Sequence, residues 1–335
     1  MQIMSPDNVV EVFSTCPSSK TVDSRAYLKQ VAEVARWSEE VGCKGILVYS
    51  DNSLIDPWLV SQVIIANTRT LSPLIAVQPV YMHPYSVAKM VTTFGYIYGR
   101  KVYLNMVAGG FKNDLLALND KTPHDNRYDR LREYTAIIKA LLQGEKPLSF
   151  EGTYYQVDKL SLLPPLDAAL YPGIFVSGSS DAGLAAARSM GATAIQYPKP
   201  TREYLSRQID KRLDSGVRMG IVSRESDEEA WTVAHKRFPE DRKGQLTYQM
   251  AMKVSDSVWH QQLSELAKVN EKTPYWLIPF QNYKTACPYL VGSYDRVGQE
   301  LAGYISLGYR TFILDIPPTR EELVHTRRAF NQVSI

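Results

Sequence analysis

A run of small polar residues in the middle of the chain is the clearest chemical signal in the sequence. Ser177 to Asp181 (SGSSD) follows a short apolar segment and leads into DAGLAAARSM, which has helical character. Small residues let a backbone approach an oxyanion closely, and the free N–H groups and dipole of a helix N-terminus favour a phosphate. A serine or Asp181 would also be expected here if it only capped the helix. The run therefore predicts either a phosphate site or an ordinary helix cap.

A histidine and a tyrosine four residues apart form a second candidate. His124 and Tyr128 lie in PHDNRYDRL, at the predicted start of a long helix. Because residues four apart share one helix face, these two side chains could donate two hydrogen bonds to a single phosphate. The alternative is a solvated helix start with an incidental histidine.

The other histidines and the cysteines indicate no metal or hydrolase centre. The sequence contains no H-x-x-x-H, H-E-x-x-H or G-x-S-x-G motif, so we expect neither metal catalysis nor a serine hydrolase. Cys16 has no evident histidine partner in the sequence, and it is either a reactive thiol with a partner in space or a small core residue. The three cysteines include no CxxC pair, which argues against structural zinc and a disulfide framework and fits a reducing cytoplasm.

Composition narrows the class of protein. The 335 residues are 44% apolar and 22% charged, as expected for a globular chain. Basic and acidic residues nearly balance at 38 and 35, without a long basic run, so we expect no nucleic-acid partner. The sequence lacks a signal-peptide pattern and any run of ~18 apolar residues, so we expect no membrane span. These features predict a soluble cytoplasmic protein.

The elements that must position the candidate residues alternate between strand and helix. Nearly every predicted strand is followed by a segment of helical period, which indicates a parallel sheet with helices outside it. Eight such units in ~300 residues favour a closed (β/α)8 TIM barrel over an open doubly wound sheet. The predicted strands are 9–13, 45–49, 74–78, 102–107, 174–176, 193–196, 217–222 and 311–315, and the clearest helices are 24–41, 57–66, 85–98 and 125–143.

Two stretches interrupt this alternation. Residues 144–172 are predicted to form a short hairpin and an extended loop. Residues 238–292 form a longer insertion, which is helical from Gln245 to Val269 and then aromatic and rich in proline. Long insertions at the C-terminal ends of barrel strands commonly cover active sites. We therefore predict that the second insertion is a lid.

Several segments together resemble the bacterial luciferase-like flavin monooxygenases, and within them the alkanesulfonate monooxygenase branch. They are GRKVYLNMVAGG, HDNRYDRLREYT, SFEGTYYQVDKLSLLPP, YPGIFVSGSSDAGLAAARSMGATAIQYPKP and VRMGIVSRESDEEAW, and the resemblance covers roughly residues 26–330. It implies one barrel domain over residues 1–335 with its lid, and reduced FMN (FMNH2) and O2 as co-substrates. It also implies a separate NAD(P)H:flavin reductase that supplies FMNH2, and a homodimer or homotetramer.

The resemblance assigns cofactor roles residue by residue. The family's phosphate-binding histidine and tyrosine match His124 and Tyr128, and its serine pair matches Ser179 and Ser180. Asn105 matches a residue near the isoalloxazine ring. The other cofactor contacts that we predict, all beside ends of predicted strands, are Gln78, Gly178 and Tyr197.

Fewer of the residues that surround the reaction centre in the sulfonate branch are present in this chain. Where the sulfonate branch has a histidine, a cysteine and a second histidine, this chain has Cys16, Leu54 and Gly220. Arg218 is retained, and the lid arginine of that branch falls near Lys284. We predict Arg218, Cys16 and Lys284 as catalytic residues, with a structural salt bridge as the alternative role of Arg218.

These departures predict the same cofactor applied to another substrate than an alkanesulfonate. The expected reaction is FMNH2- and O2-dependent oxygenation of an organosulfur compound or a specialised metabolite. Two alternatives share the fold. One is hydride transfer with the deazaflavin coenzyme F420, and the other is a non-catalytic flavin-binding barrel.

Overall fold

Strands and helices alternate along the chain of the computed structural model, which describes residues 9–109, 112–144, 146–204, 213–253 and 273–333. The strands are β1 Glu11–Thr15, β2 Gly45–Val48, β3 Ser72–Val77, β4 Tyr103–Met106, β5 Leu148–Glu151, β6 Gln156–Leu160, β7 Gly173–Ser177, β8 Thr193–Gln196, β9 Ser215–Arg224, β10 Tyr275–Trp276, β11 Tyr289–Ser293 and β12 Tyr309–Leu314. The helices are α1 Ser24–Glu40, α2 Pro57–Ala66, α3 Pro84–Tyr98, α4 Lys112–Ala117, α5 His124–Gln143, α6 Asp181–Met190, α7 Asp227–Arg237, α8 Arg242–Lys253, α9 Ile278–Gln281, α10 Tyr294–Ser306 and α11 Arg320–Asn331.

Hydrogen bonding joins the strands in an order that returns on itself. The order is β10-β11-β9-β12-β1-β2-β3-β4-β7-β8, and β8 also pairs with β9. Eight strands (β1, β2, β3, β4, β7, β8, β9 and β12) therefore form a closed ladder, which is the strand arrangement of a (β/α)8 fold. The predicted fold class is confirmed.

The chain divides into two compact units. The central unit comprises Cys16–Ala35 and Ile46–Ala194. The terminal unit comprises Met1–Thr15, Arg36–Gly45 and Ile195–Ile335.

The central unit is built on the parallel neighbours β3, β4 and β7. Every residue of β3 and β4 is buried, because helices cover a parallel sheet on the outside. Asp56 caps α2 by accepting from the N–H groups of Trp58 and Leu59, as the sequence predicts, and Pro57 occupies the first turn. Residues 148–160 form an antiparallel hairpin, β5–β6.

The terminal unit contains the parallel neighbours β1, β12 and β9. Its β9 is longer than the predicted strand, because its two halves have different partners. Ser215–Met219 pairs with β12, whereas Gly220–Arg224 pairs with β11. Packed aromatic side chains form part of the core, with the Phe312 and Phe330 rings 5.4 Å apart.

Most predicted boundaries differ from the structure by one or two residues, and two differences concern the candidate residues and the second insertion. The first strand begins at Glu11, two residues later than predicted, which places Ser14 and Thr15 inside it. The helix predicted from Gln245 begins at Arg242 and is described to Lys253, and residues 254–272 lie outside the described part of the chain. In the described ranges, no helix combines the length and the apolar character needed to cross a membrane.

Candidate functional site

A cradle of polar side chains lies in the central unit where α5 and α6 begin. The two helices pack against each other. His124 is the first residue of α5, and Tyr128 follows one turn later with its ring 5.3 Å from that of His124 in an edge-to-face arrangement. Gly178, in the loop between β7 and α6, lies close to the hydroxyl of the same tyrosine.

The tyrosine hydroxyl explains why the loop needs glycine. A Cβ atom added at Gly178 would lie 2.6 Å from the Tyr128 hydroxyl oxygen, and one at Gly183 would lie 3.2 Å from it. Tyr128 is only 8% exposed, so it has little room to move away. The hydroxyl of Tyr128 is thereby held against the backbone at the start of α6.

The two neighbouring serines have different surroundings. Ser180 is the N-cap of α6, and its Oγ accepts a hydrogen bond from the Gly183 N–H at 3.1 Å. The Ser179 Oγ atom is buried, and it has no hydrogen-bond partner within the described residues. Because an unsatisfied buried hydroxyl is costly, Ser179 is suited to bind a ligand oxygen. The cap and the phosphate site, which the sequence leaves as alternatives, can therefore coexist on adjacent residues.

His124 is held by its neighbour in the sequence. Its Nδ1 lies 2.7 Å from Oδ1 of Asp125, which leaves the Nε2 edge of the ring available to a ligand.

Two amide side chains lie at strand ends of the central unit. Asn105, which is 5% exposed, accepts a hydrogen bond from Ser177 Oγ at 2.8 Å. Gln78, which is 6% exposed, donates from Nε2 to the Ser50 carbonyl at 3.3 Å. Both side chains are thus fixed in orientation by neighbouring residues.

Cys16 lies in a small pocket of the central unit together with Tyr27 and Leu54. Burial raises the pKa of the Cys16 thiol to about 12, and a hydrogen bond with Tyr27 opposes this effect only in part. The thiol is therefore protonated near neutral pH, and it can donate a hydrogen bond but cannot act as a nucleophile.

In the described part of the chain, no group of three or more histidine, cysteine or acidic side chains is arranged to hold a metal ion.

Arg218 belongs to a cluster in the terminal unit. It lies on β9 opposite Ile313 of β12. Burial raises the pKa of Tyr197, and the positive charge and hydrogen bond of Arg218 oppose that effect. Burial likewise holds the pKa of the Cys287 thiol well above its usual range, with Asp315 adding to the effect and Arg218 opposing it. Arg218, Tyr197, Cys287 and Asp315 therefore lie within electrostatic reach of one another.

The sequence analysis assigned no role to Asp315 or Arg237, and it placed Tyr289 only in the aromatic part of the second insertion. Tyr289 donates its hydroxyl proton to Asp315 Oδ2 at 2.7 Å, and Arg237 Nη2 approaches the same hydroxyl at 3.4 Å. Asp315 ends the eighth predicted strand, where functional groups of a barrel are expected, so its position was a usable signal. Tyr289 and Arg237 gave none, because β11 and the end of α7 meet there only in the tertiary structure.

Lys284 has an ionic partner. Its Nζ lies 2.7 Å from Asp241 Oδ2, and the lysine side chain is 52% exposed. The lysine holds the pKa of the Asp241 carboxyl below its usual range. An exposed ion pair of this kind contributes little free energy, so it does not prevent the lysine from turning to a ligand.

Comparisons with known proteins cover nearly the whole chain. The model of the luciferase-like monooxygenase family matches residues 10–311. The chain is 34% identical over 319 residues to 4-(gamma-L-glutamylamino)butanoyl-(BtrI acyl-carrier protein) monooxygenase BtrO from Niallia circulans, and the match covers 92% of this chain and 93% of that protein.

Solved structures share the fold at low sequence identity. A riboflavin lyase, RcaE, determined with modified FMN and riboflavin, superposes with a TM-score of 0.75 at 13% identity over 97% of this chain and 92% of that one. An F420-dependent secondary alcohol dehydrogenase, determined with an F420-acetone adduct, superposes with a TM-score of 0.65 at 15% identity over 97% and 99%. Because the fold is common to proteins with either cofactor, the fold alone does not decide which one this chain binds.

Proposed function

Because the chain belongs to the luciferase-like monooxygenase family, it is an enzyme of the flavin-dependent monooxygenase class, and we propose that it uses reduced FMN and O2 to oxygenate a small organic molecule. The resemblance seen in the sequence is confirmed at the level of the family. Similarity to a named monooxygenase over nearly the full length argues for an enzyme and against the alternative of a non-catalytic flavin-binding barrel. In the proposed system a separate NAD(P)H:flavin reductase delivers FMNH2, and the enzyme is a homodimer or homotetramer.

The observation that carries the FMN proposal is the unsatisfied hydroxyl of Ser179 in the cradle at the start of α6. A phosphate there would accept from Ser179 Oγ and from the free N–H groups of the first helical turn. His124 and Tyr128 would donate from α5, since the Tyr128 hydroxyl lies against Gly178 and the His124 ring packs on that of Tyr128. Gly178 keeps the loop close enough to Tyr128 for all of these groups to act together. The residues present therefore fit a phosphate.

The remaining groups would position the two reactants. Bound FMNH2 supplies the oxygen-transfer chemistry with O2. In this proposal Asn105, fixed by Ser177, and Gln78 orient the flavin ring from the strand ends. Tyr197 stays protonated and contacts the cofactor beside Arg218. Arg218 stabilises negative charge on the reacting molecules, because its guanidinium is charged at any working pH. Cys16 and Lys284 complete the proposed site as a hydrogen-bond donor and a second cation.

The substrate class that we favour is an acyl compound of specialised metabolism. The relative from Niallia circulans acts, by its name, on a 4-(gamma-L-glutamylamino)butanoyl group borne by an acyl-carrier protein. The missing imidazoles at Cys16 and Gly220 argue against an alkanesulfonate. An organosulfur compound is the second substrate class, and it is separable by direct assay.

The cofactor and the reaction can be tested by measuring oxygen uptake with three reduced cofactors. Purified protein receives reductase-generated FMNH2, reduced riboflavin or reduced F420, each with and without candidate acyl and organosulfur substrates. The proposal predicts substrate-dependent oxygen incorporation with FMNH2, and less hydrogen peroxide when product forms. The proposal would be wrong if the substrate reacted with reduced F420 under strict anaerobiosis and did not react with FMNH2 in air. That result would show a hydride-transfer enzyme.

A further inference from the structure

A polar cavity in the terminal unit lies outside the flavin-phosphate cradle. Its polar lining includes the guanidinium of Arg237, the hydroxyl of Tyr289 and the carboxylate of Asp315. Tyr289 donates to Asp315 Oδ2 at 2.7 Å and accepts from Arg237 Nη2 at 3.4 Å. The Tyr289 hydroxyl thus bridges a carboxylate and a guanidinium, and each of these two groups has further atoms that could contact a ligand.

The tertiary structure creates the cavity through Gly220. Gly220 on β9 lies directly opposite Tyr289 on β11, and a Cβ atom there would collide with the tyrosine ring. Without a side chain at this position, the Tyr289 ring fits against the strand, and its hydroxyl reaches Asp315 directly after β12.

Two of the three charged side chains that line the cavity, Arg237 and Asp315, have no ion-pair partner among the described residues. Within the described ranges Arg237 has no carboxylate partner, and its Nη2 makes two long hydrogen bonds, to Tyr289 and to the Ile316 carbonyl at 3.3 Å. Asp315 uses Oδ2 for the tyrosine, and no described group donates to Oδ1. Glu322, the other acid of the lining, is instead held by Arg224. A guanidinium fork and a carboxylate oxygen therefore remain available to a ligand.

We infer that this cavity binds the amino-acid end of the substrate, with Arg237 taking its carboxylate and Asp315 its ammonium group. An arginine fork matches a carboxylate in two hydrogen bonds, and an aspartate oxygen matches an ammonium. Apolar side chains of the same lining, Ile221, Leu314 and Leu323, can contact the methylene groups between them. The inference rests on the proposed function, because the amino-acid end belongs to the proposed acyl substrate. Arg218 lies within electrostatic reach of Asp315, so the bound amino-acid end would be near Arg218.

Binding of small probes to the flavin-free protein tests this inference. The probe is γ-L-glutamylethylamide, which ends in a free α-amino acid. One matched analogue, N-ethylglutaramate, lacks the ammonium group, and the other, 4-amino-N-ethylbutanamide, lacks the carboxylate. Calorimetry and saturation-transfer NMR should show the complete probe binding at least ~10-fold more tightly than either analogue, the loss expected for one charge-assisted contact.

Two variants assign the contacts. Arg237→Gln should abolish the preference over the analogue without a carboxylate, and Asp315→Asn should abolish the preference over the analogue without an ammonium. Arg320→Ala is the control, since that arginine pairs with Glu40 outside the cavity. Its affinities should equal those of the wild type.

Three results would overturn the inference. They are no binding of the complete probe up to the millimolar range, equal affinities for all three compounds, or variants that fold normally and keep both preferences. No flavin is present, so these outcomes are independent of the test for FMNH2-dependent oxygenation. A protein that oxygenates with FMNH2 but ignores the probes would retain the proposed function and lose only this substrate assignment.

Discussion

Two adjacent serines in the cradle, Ser179 and Ser180, have different roles although they belong to one short motif. The Ser180 side chain stabilises α6, whereas the Ser179 Oγ atom is buried and has no hydrogen-bond partner among the described residues. A hydroxyl that caps a helix contributes roughly 1 kcal/mol to folding. A buried hydroxyl without a partner destabilises the fold, and a bound ligand relieves that cost.

This division predicts opposite effects for two alanine substitutions. Ser179→Ala should not lower the melting temperature but should weaken the binding of reduced FMN ~10-fold, while Ser180→Ala should cost about 1 kcal/mol of stability. Anaerobic titration and thermal unfolding measure the two effects. Wild type should also bind reduced FMN at least ~30-fold more tightly than reduced riboflavin, which lacks the phosphate. Equal affinities for the two flavins would disprove the phosphate assignment.

Arg218 permits a separation of binding from chemistry. Because neither Arg218 nor its neighbour Tyr197 is among the residues proposed to bind the phosphate, Arg218→Ala should leave the affinity for reduced FMN within about threefold of wild type. Product formation should fall by ~10²-fold or more, as expected when one preorganised positive donor is lost. Arg218→Lys should restore activity only in part, since an ammonium keeps the charge but not the planar fork.

The assay must count product and hydrogen peroxide separately on protein of known folded fraction. A lowered melting temperature with unchanged turnover per folded molecule would show that Arg218 is a structural residue.

At the scale of elements, one carboxylate fixes the hairpin β5–β6. Glu133 on α5 accepts from three successive backbone N–H groups, those of Thr153, Tyr154 and Tyr155, at 2.8, 2.8 and 3.2 Å. Gly152 is required beside it, because a Cβ atom there would collide with the carboxylate. The turn is therefore held by a charged acceptor in addition to the strand ladder.

We expect Glu133→Ala to loosen this turn without unfolding the protein. Hydrogen bonds to a charged acceptor contribute ~1.5–3 kcal/mol each, so the amides of residues 153–155 should exchange at least ~10-fold faster. Hydrogen–deuterium exchange with mass spectrometry reads this change directly. Glu151→Ala, an exposed neighbour on β5, is the matched control and should exchange like wild type. Unchanged exchange in Glu133→Ala would mean that the ladder alone fixes the turn.

At the scale of the whole molecule, buried thiols link stability to pH. Burial raises the pKa of Cys16 and of Cys43 to about 12, and it raises the pKa of Cys287 well above its usual range. The unfolded chain releases these protons near the ordinary value of 9.0, whereas the folded chain keeps them. Above that pH the unfolded state binds fewer protons, so the free energy of unfolding falls as pH rises.

This linkage predicts a steep loss of stability in alkali. Each thiol should contribute about 1.4 kcal/mol of loss per pH unit above pH 9, until its folded-state pKa is reached. Denaturant unfolding from pH 8 to pH 10.5 measures the slope. Cys43→Ala removes one buried thiol away from the candidate site, so its slope should be shallower by that amount. An identical slope would show that the Cys43 thiol does not carry the linkage.

The sequence by itself determined the fold and predicted where a phosphate site would lie, because both depend on local patterns. Strand and helix periods alternate without much competition, and Asp56 and Ser180 cap helices as their residue types and positions predict. The residues proposed for the phosphate are set by helix starts, and a helix start is visible in sequence.

Only the tertiary structure decided which residues meet across the chain. Tyr289 occupies the space left by Gly220, Glu133 reaches the turn near Gly152, and Arg237 and Asp315 line one cavity. These contacts join residues 20 to nearly 80 positions apart. No local periodicity encodes such a distance, because side-chain packing fixes it only after the strands have paired.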